Sequence, residues 1–234
     1  MFQALEYEIS GRTFTGLLAT PAAGPPRGGV LVLHGGSGPG GHERERARQL
    51  TALGHVAFAP DLFGEVFADR SRGMAVIGEL IAQPATLRAR VAAAWRTLAE
   101  HPSVAGRPTA AIGHCFGGLA ALELARSGAE VRAVVAFHGG LVAREAARPG
   151  EVRARVLVCA GADDPFCPRE QRAAFEDEMT RAGVDWQLHV YATARHGFTV
   201  PDIDPVKHPG CGYHEPSDRR SWLAMQGLLD EAFV

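Results

Sequence analysis

The sequence predicts an α/β domain with a mostly parallel, doubly wound sheet that follows an antiparallel N-terminal hairpin. Residues 1–20 alternate apolar and polar side chains around the turn Ser10-Gly11-Arg12, which is typical of a hairpin. Several later segments are continuous apolar runs, as expected of strands covered on both faces, and helix-like segments alternate with them. The predicted strands are residues 30–33, 56–59, 109–112, 131–137, 156–160 and, with a more mixed pattern, 186–191.

The segments between these runs carry helix signals. Residues 85–101 place apolar side chains on one face and stop before a proline. Residues 116–127 are apolar nearly all round and end before a glycine, which predicts a buried helix. Residues 168–182 begin with a proline, and a last helix opens at Pro216. Residues 199–216 are the longest stretch without periodicity, and loops of that length are often functional.

The composition restricts the classes of function. The chain has 234 residues, of which 46% are hydrophobic and 21% charged, and these values predict one globular domain over residues 1–234. The net charge of −2 gives no reason to expect a nucleic acid or an anionic membrane as partner. No apolar run approaches the roughly 20 residues that span a bilayer, and the first residues lack the features of a signal peptide. The four cysteines form no CxxC pair, so we expect free thiols and a cytoplasmic location, with a monomer and a homodimer both left open.

The stretch Gly113-His114-Cys115-Phe116-Gly117 predicts a nucleophile. It follows an apolar strand and precedes the buried helix, which is the strand–turn–helix context of a nucleophile elbow. Glycine on either side permits a turn sharp enough to expose the cysteine side chain. The N-terminus of the following helix favours an anion, so the pKa of a thiol at this point should be lowered.

An acid and a base follow in the chain. Asp164 comes directly after a predicted strand, at the edge of the sheet where ligands bind in open α/β folds, and the adjacent Asp163 is a rival for the same role. His196 follows the next predicted strand. The order Cys115, Asp164, His196 is the nucleophile–acid–histidine order of the α/β-hydrolase fold, which the sequence therefore predicts.

The glycines after the first parallel strand are candidates for an oxyanion hole. The segment His34-Gly35-Gly36 allows a substrate to approach the backbone closely. We expect the N–H group of Gly36, with that of Gly35 as the second choice, to pair with the N–H group of Phe116. Together they would bind the negative charge that develops on an attacked carbonyl.

In combination these residues resemble the dienelactone hydrolase family, and the resemblance runs over most of the chain. The motifs that carry it are Pro60-Asp61-Leu62-Phe63-Gly64, Gly113-His114-Cys115-Phe116-Gly117-Gly118, Asp164-Pro165-Phe166-Cys167-Pro168, His196-Gly197-Phe198 and the tail over residues 213–222. The resemblance implies a catalytic triad of Cys115, Asp164 and His196. It also implies hydrolysis of a small ester or enol-lactone, without a cofactor or a metal. The candidate substrate-binding residues are Gly35, Phe63 and Phe198.

Two positions depart from the family pattern. Family enzymes that open dienelactones carry a glutamate in the oxyanion loop where Gly35 stands here, so thiol activation rests on His196 or on nearby Glu43 or Glu45. Those enzymes also place an arginine shortly after the histidine to hold a substrate carboxylate, and no arginine follows His196 closely here. The arginines that could replace it are Arg44, Arg70, Arg72 and Arg195.

Three other functions remain open at this level. The same fold and thiol would suit a thioesterase. A low-pKa exposed thiol also suits a redox sensor that does not turn over esters. Finally, His208, Cys211 and His214 could hold a metal, although their spacing is not that of a structural zinc site.

Overall fold

The computed structural model describes residues 2–65, 67 and 69–234, and this part of the chain forms one eight-stranded sheet flanked by helices. The strands are β1 (Phe2–Ile9), β2 (Arg12–Ala19), β3 (Gly29–Leu33), β4 (Val56–Ala59), β5 (Thr109–His114), β6 (Ala133–Phe137), β7 (Arg155–Gly161) and β8 (Trp186–Tyr191). The helices are α1 (Gly41–Ala52), α2 (Arg70–Ala82), α3 (Pro84–Glu100), α4 (Phe116–Arg126), α5 (Arg169–Arg181) and α6 (Glu215–Ala232).

The sheet has the strand order β1-β2-β4-β3-β5-β6-β7-β8. β1 pairs antiparallel with β2, and β2 pairs antiparallel with β4. All other neighbouring strands are parallel. The predicted hairpin and the predicted mostly parallel sheet are both confirmed.

Helices cover both faces of the sheet. On one face, α2, α3, α4 and α5 contribute Val76, Leu87, Leu119 and Phe175 to one core, and on the other α1 and α6 contribute Leu50 and Met225 to a second. Because β3, β5, β7 and β8 run parallel, the loops at their carboxyl ends meet at one edge of the sheet. Gly35, Cys115, Asp164 and His196 lie in these four loops.

The helix α4 is buried on every side, as its nearly continuous apolar sequence predicts. Its two charged residues, Glu123 and Arg126, form an ion pair with each other. Arg126 also donates to Glu178 of α5 at 2.8 Å, and Arg88 of α3 donates to Glu123 at 2.7 Å. These pairs satisfy the charges that α4 carries into the core.

The sequence analysis missed α1 and α2. The buried face of α1 carries Glu43 and Arg46 beside Ala47 and Leu50, so its apolar stripe is interrupted. Polar side chains on the buried side hide the period of 3.6 residues by which such a helix is normally detected. Asp69 caps α2 by accepting from the N–H group of Arg72 at 2.9 Å.

Among the described residues, no helix has a stretch that is both apolar enough and long enough to cross a lipid bilayer.

A substitution of Gly117 tests how closely α4 approaches the sheet. A Cβ at this position would collide with the backbone carbonyl groups of Leu33 and His34. We expect Gly117→Ala to lower the free energy of unfolding by roughly 1–3 kcal/mol, measured by urea denaturation. Gly227→Ala is the matched control, because a Cβ at this position of α6 meets open space. We expect this variant to raise the free energy of unfolding by up to about 1 kcal/mol. Similar losses in both variants would contradict this account.

Candidate active site

Cys115 occupies the turn between β5 and α4 in a strained conformation. Its backbone has φ 55° and ψ −118°, a region that residues with a Cβ avoid. A Cβ on Gly113 would collide with the backbone of Gly117, and one on Gly117 with that of Leu33. Close packing of strand against helix therefore holds the turn, and only glycine fits at both positions. The N–H group of Cys115 donates to the carbonyl of Phe137 at 3.0 Å.

The structure brings Cys115, His196 and Asp164 together. The Nε2 atom of His196 lies 3.1 Å from the sulfur of Cys115, and Nδ1 lies 2.9 Å from Oδ2 of Asp164. A carboxylate only accepts, so Nδ1 carries a proton and donates it. The other oxygen of Asp164 accepts from the N–H group of Phe166 at 2.8 Å, while Asp163 is exposed. Of the two rival acids, Asp164 is the one that contacts the histidine.

The electrostatics favour a thiolate paired with an imidazolium. Burial raises the pKa of the Cys115 thiol, but the hydrogen bond and charge of His196 and two backbone N–H groups outweigh this, so its pKa lies below the ordinary value. For His196, burial lowers the pKa, yet the hydrogen bonds to Asp164 and Cys115 raise it to about 10. Each group thus stabilises the charged form of the other.

The two N–H groups that hydrogen-bond Cys115 belong to Phe116 and Gly36. These are the two residues that the sequence analysis selected for the oxyanion hole. Gly35 lies beside them, since a Cβ built on it would be 3.6 Å from the Cβ of Cys115. Backbone donors therefore converge on the sulfur of Cys115 from the loop after β3 and from the first turn of α4.

His34 fixes the loop that carries these glycines. Its Nε2 accepts from the N–H group of Leu62 at 2.9 Å, so Nδ1 must carry the proton that it donates to the carbonyl of Gly35 at 2.8 Å. Burial lowers the pKa of His34, which keeps the ring neutral. The sequence analysis named His34 only as a neighbour of the glycines, and no sequence signal separates this positioning role from that of a plain loop residue.

Neither nearby glutamate contacts the thiol. Glu43 accepts from the N–H group of Gly40 at 2.8 Å and caps α1, and Glu45 accepts from Arg48 at 2.8 Å. In the described part of the chain, the side chain that hydrogen-bonds Cys115 is therefore that of His196.

Two of the candidate carboxylate-binding arginines, Arg72 and Arg44, contact other residues. Arg72 pairs with Glu65 at 2.8 Å, and the guanidinium of Arg44 lies over the ring of Phe2 at 5.8 Å. Arg195 is exposed next to His196. The side chain of Arg70 lies outside the described part of the chain.

The aromatic candidates occupy different environments. Phe63 is only 2% exposed and stacks on Phe116 at 5.2 Å, and Phe198, two residues after His196 in the same loop, is fully buried. Their role in substrate binding stays a prediction. Phe166, which the sequence analysis did not assign to the site, is 51% exposed, and its ring lies edge-on to that of His196 at 5.1 Å.

The alternative metal site finds no geometric support. His214 hydrogen-bonds Ser217 at 2.7 Å, and Cys211 is buried. Across residues 2–65, 67 and 69–234, no three histidine, cysteine or acidic side chains are grouped as a metal ion would require.

Comparison with known proteins places the chain in a family. The model described as "Dienelactone hydrolase family" matches residues 14–233. A solved structure named m3DLH is 40% identical with a TM-score of 0.95, covering 100% of this chain and 99% of that one. A dienelactone hydrolase-like promiscuous phosphotriesterase from metagenomic libraries is 38% identical with a TM-score of 0.94, covering 99% and 98%. An uncharacterized protein of Caenorhabditis elegans is 33% identical over 151 residues, which are 63% of this chain and 95% of that protein.

The matched region begins in β2 and ends after α6, so it includes the whole parallel part of the sheet and all four loops that meet at the site. The chain belongs to the dienelactone hydrolase family and has the α/β-hydrolase fold.

Proposed function

We propose that this protein hydrolyses small carboxylic esters or enol-lactones with Cys115 as the nucleophile. One observation carries the proposal: an unbroken row of hydrogen bonds from the sulfur of Cys115 through His196 to Asp164, at 3.1 and 2.9 Å. Nucleophile, base and orienting acid stand at the distances that such catalysis requires. Family membership supports the reaction class.

In the first half-reaction, the thiolate attacks the carbonyl carbon of the substrate. A carbon–sulfur bond forms, and the carbonyl electron pair moves onto oxygen, where the N–H groups of Gly36 and Phe116 stabilise it. When the intermediate collapses, the bond to the leaving oxygen breaks. That oxygen takes the Nε2 proton of His196, and an acyl group remains on Cys115.

In the second half-reaction, neutral His196 removes a proton from water, and the hydroxyl attacks the acyl carbon. The carbon–sulfur bond breaks, the carboxylic acid leaves, and Cys115 returns as a thiolate beside protonated His196. Asp164 keeps the ring in the correct tautomer and stabilises its positive charge in both steps. The cycle needs water and no cofactor.

The nucleophile determines the substrate class. A thiolate is itself a good leaving group, so the intermediate proceeds forward only when the departing oxygen is also a stable anion, as in enol esters, lactones and aryl esters. Thioesters fit the same condition, and amides do not. We propose that Gly35 contacts the bound substrate, and that Phe63 and Phe198 contribute apolar walls behind it. The described cysteines form no disulfide bond with one another, which is consistent with the proposed cytoplasmic location.

A second candidate activity is hydrolysis of phosphotriesters. It is favoured by the likeness to the structure described as a promiscuous phosphotriesterase, at 38% identity over nearly the whole of both chains. A thiolate could attack phosphorus as it attacks a carbonyl, with the same N–H groups holding the charged oxygen. Release of p-nitrophenol from diethyl p-nitrophenyl phosphate would test this directly.

Hydrolysis of p-nitrophenyl acetate tests the role of Cys115. We expect Cys115→Ala to lower kcat/KM by roughly 10³-fold or more. The proposed nucleophile, base and acid act as one unit, so removing one of them abolishes most of the catalytic effect of all three. Mass spectrometry of acid-quenched wild type should find the acetyl group on Cys115. Cys159→Ala is the control and should keep its activity, since Cys159 is buried within β7. Equal turnover by wild type and Cys115→Ala would refute the mechanism, and modification of Cys115 by peroxide without any turnover would favour a redox sensor.

Alkylation by iodoacetamide tests the charge pair without a substrate. Because the pKa of Cys115 is lowered by His196, the wild-type alkylation rate should reach its plateau at a lower pH than that of an ordinary cysteine and fall when acid protonates the thiolate. In His196→Gln the thiol pKa should rise to about 8.5 or above, and alkylation at neutral pH should slow at least about tenfold. Cys159 and Cys167 should not interfere, because burial raises their pKa values to about 12 and about 11. The same pH profile in both proteins would contradict the pairing.

A further inference from the structure

Three histidines form a row behind His196, of which His138 and His114 are buried and His42 is half-buried. His138 follows β6, His114 ends β5 and His42 lies in α1. The ring centroids are 5.1 Å apart from His196 to His138, 5.9 Å from His138 to His114, and 4.5 Å from His114 to His42. The row therefore starts in contact with His196 and ends at α1.

His138 is the member of this row that contacts His196, and it is held firmly. It is 1% exposed, and its Nε2 lies 2.8 Å from the hydroxyl oxygen of Thr199. The backbone N–H group of His138 donates to the carbonyl of Cys159 at 2.8 Å, and its φ of 40° is uncommon for a residue other than glycine. Strain of this kind persists only where the surroundings enforce it, and it is concentrated at functional sites.

The surroundings of His138 keep its ring neutral. Burial lowers the pKa of His138 well below its ordinary value, and the positive charges of His196 and Arg46 act in the same direction. The pKa of His114, the neighbour on β5, is lowered for the same reasons. Arg46 pairs with Asp218 of α6 and donates to the carbonyl of Thr199 at 3.0 Å, so its positive charge remains close to the row.

Proton transfer between the two rings is excluded by the hydrogen bonds already present. Both nitrogens of His196 are occupied, by Cys115 and by Asp164. His138 can therefore reach His196 only through ring packing and through Thr199, which lies three residues further along the same loop. These two contacts would fix the ring and its loop against β6.

We propose that His138 is a positioning residue for His196. Its neutral ring packs against the imidazole of His196, and its hydrogen bond to Thr199 holds the loop of residues 196–199, so that His196 stays aligned with Cys115 and Asp164 together. A side chain that only filled space would not need a nitrogen facing Thr199. This inference rests on the proposed catalytic pairing of Cys115 with His196. It adds a buried residue that keeps the two aligned.

The first test separates ring packing from the hydrogen bond. His138→Ala removes both contacts, His138→Phe keeps a ring, Thr199→Val removes only the hydrogen bond, and Thr199→Ser restores it. We expect His138→Ala to lower the iodoacetamide rate of Cys115 at neutral pH by roughly ten- to a hundredfold and to shift its thiolate titration, followed by ultraviolet absorbance, to higher pH. Thr199→Val and His138→Phe should lower the rate by roughly two- to tenfold, and Thr199→Ser should match the wild type.

His55→Ala controls for a merely structural effect. His55 is also a buried histidine with an unpaired nitrogen, and it packs edge-on against Phe233 at 5.2 Å. It precedes β4 and so lies at the opposite edge of the sheet from Cys115. We expect His55→Ala to lower the melting temperature and to leave the thiolate titration unchanged.

The outcomes distinguish this inference from the proposed function. A wild-type thiolate titration in His138→Ala, with only the melting temperature lowered as in His55→Ala, would overturn it. If His138→Ala does not fold, the pair Thr199→Val and Thr199→Ser decides, and equal titrations in these two would also overturn it. Shifted titrations in a protein that hydrolyses no ester would reject the proposed substrate class and still support the role of His138.

Discussion

The site depends on the hydrogen-bonded charges of Cys115 and His196. Burial alone would return the proton to sulfur, because it raises the pKa of the thiol and lowers that of the imidazole. The charged pair is favoured despite burial because the two groups lie 3.1 Å apart. In addition, Asp164 stabilises the positive charge of His196, and two backbone N–H groups stabilise the negative charge of Cys115. The fold must therefore deliver groups from the loops after β3, β5, β7 and β8 to one point.

The parallel sheet brings these loops to one edge, and α4 holds the turn at Cys115 rigid. The strained backbone of Cys115 is stable because α4 is buried on every side and cannot relax away from β5. The ion pairs of Glu123 and Arg126 anchor the same helix to α3 and α5. Packing on one face of the sheet thus fixes Cys115, the proposed nucleophile. On the other face, Arg46 links α1 to Asp218 of α6 and to the carbonyl of Thr199, in the loop that carries His196.

The parallel sheet and most of the candidate site could be predicted from the sequence. Where the prediction failed, the failure has a physical reason. Parallel strands are buried on both faces, so their apolar runs are easy to recognise, and the glycines around Cys115 permit little else at that turn. The helix α1 was missed because Glu43 and Arg46 lie on its buried side. The strand pattern left Asp163 as a rival of Asp164, which the family resemblance favoured, because the distinction is a hydrogen bond to His196, thirty-two residues away. The sequence also could not decide whether Phe63 and Phe198 line a pocket or fill the core, since the same residue type suits both, and the structure buries them.

Gly35 shows how this chain differs from relatives that open dienelactones, where the resemblance places a glutamate. A Cβ at this position would make only ordinary contact with Cys115, so sterics do not require the glycine. A carboxylate beside the sulfur would repel the thiolate and compete for the proton of His196, which favours a resting thiol that is neutral until substrate binds. Without it, the side chain that stabilises a Cys115 thiolate is that of His196, whose hydrogen bond and charge lower the thiol pKa. In the proposed mechanism, the state of Cys115 therefore depends on how accurately His196 is held, and this is the role proposed for the contacts of His138.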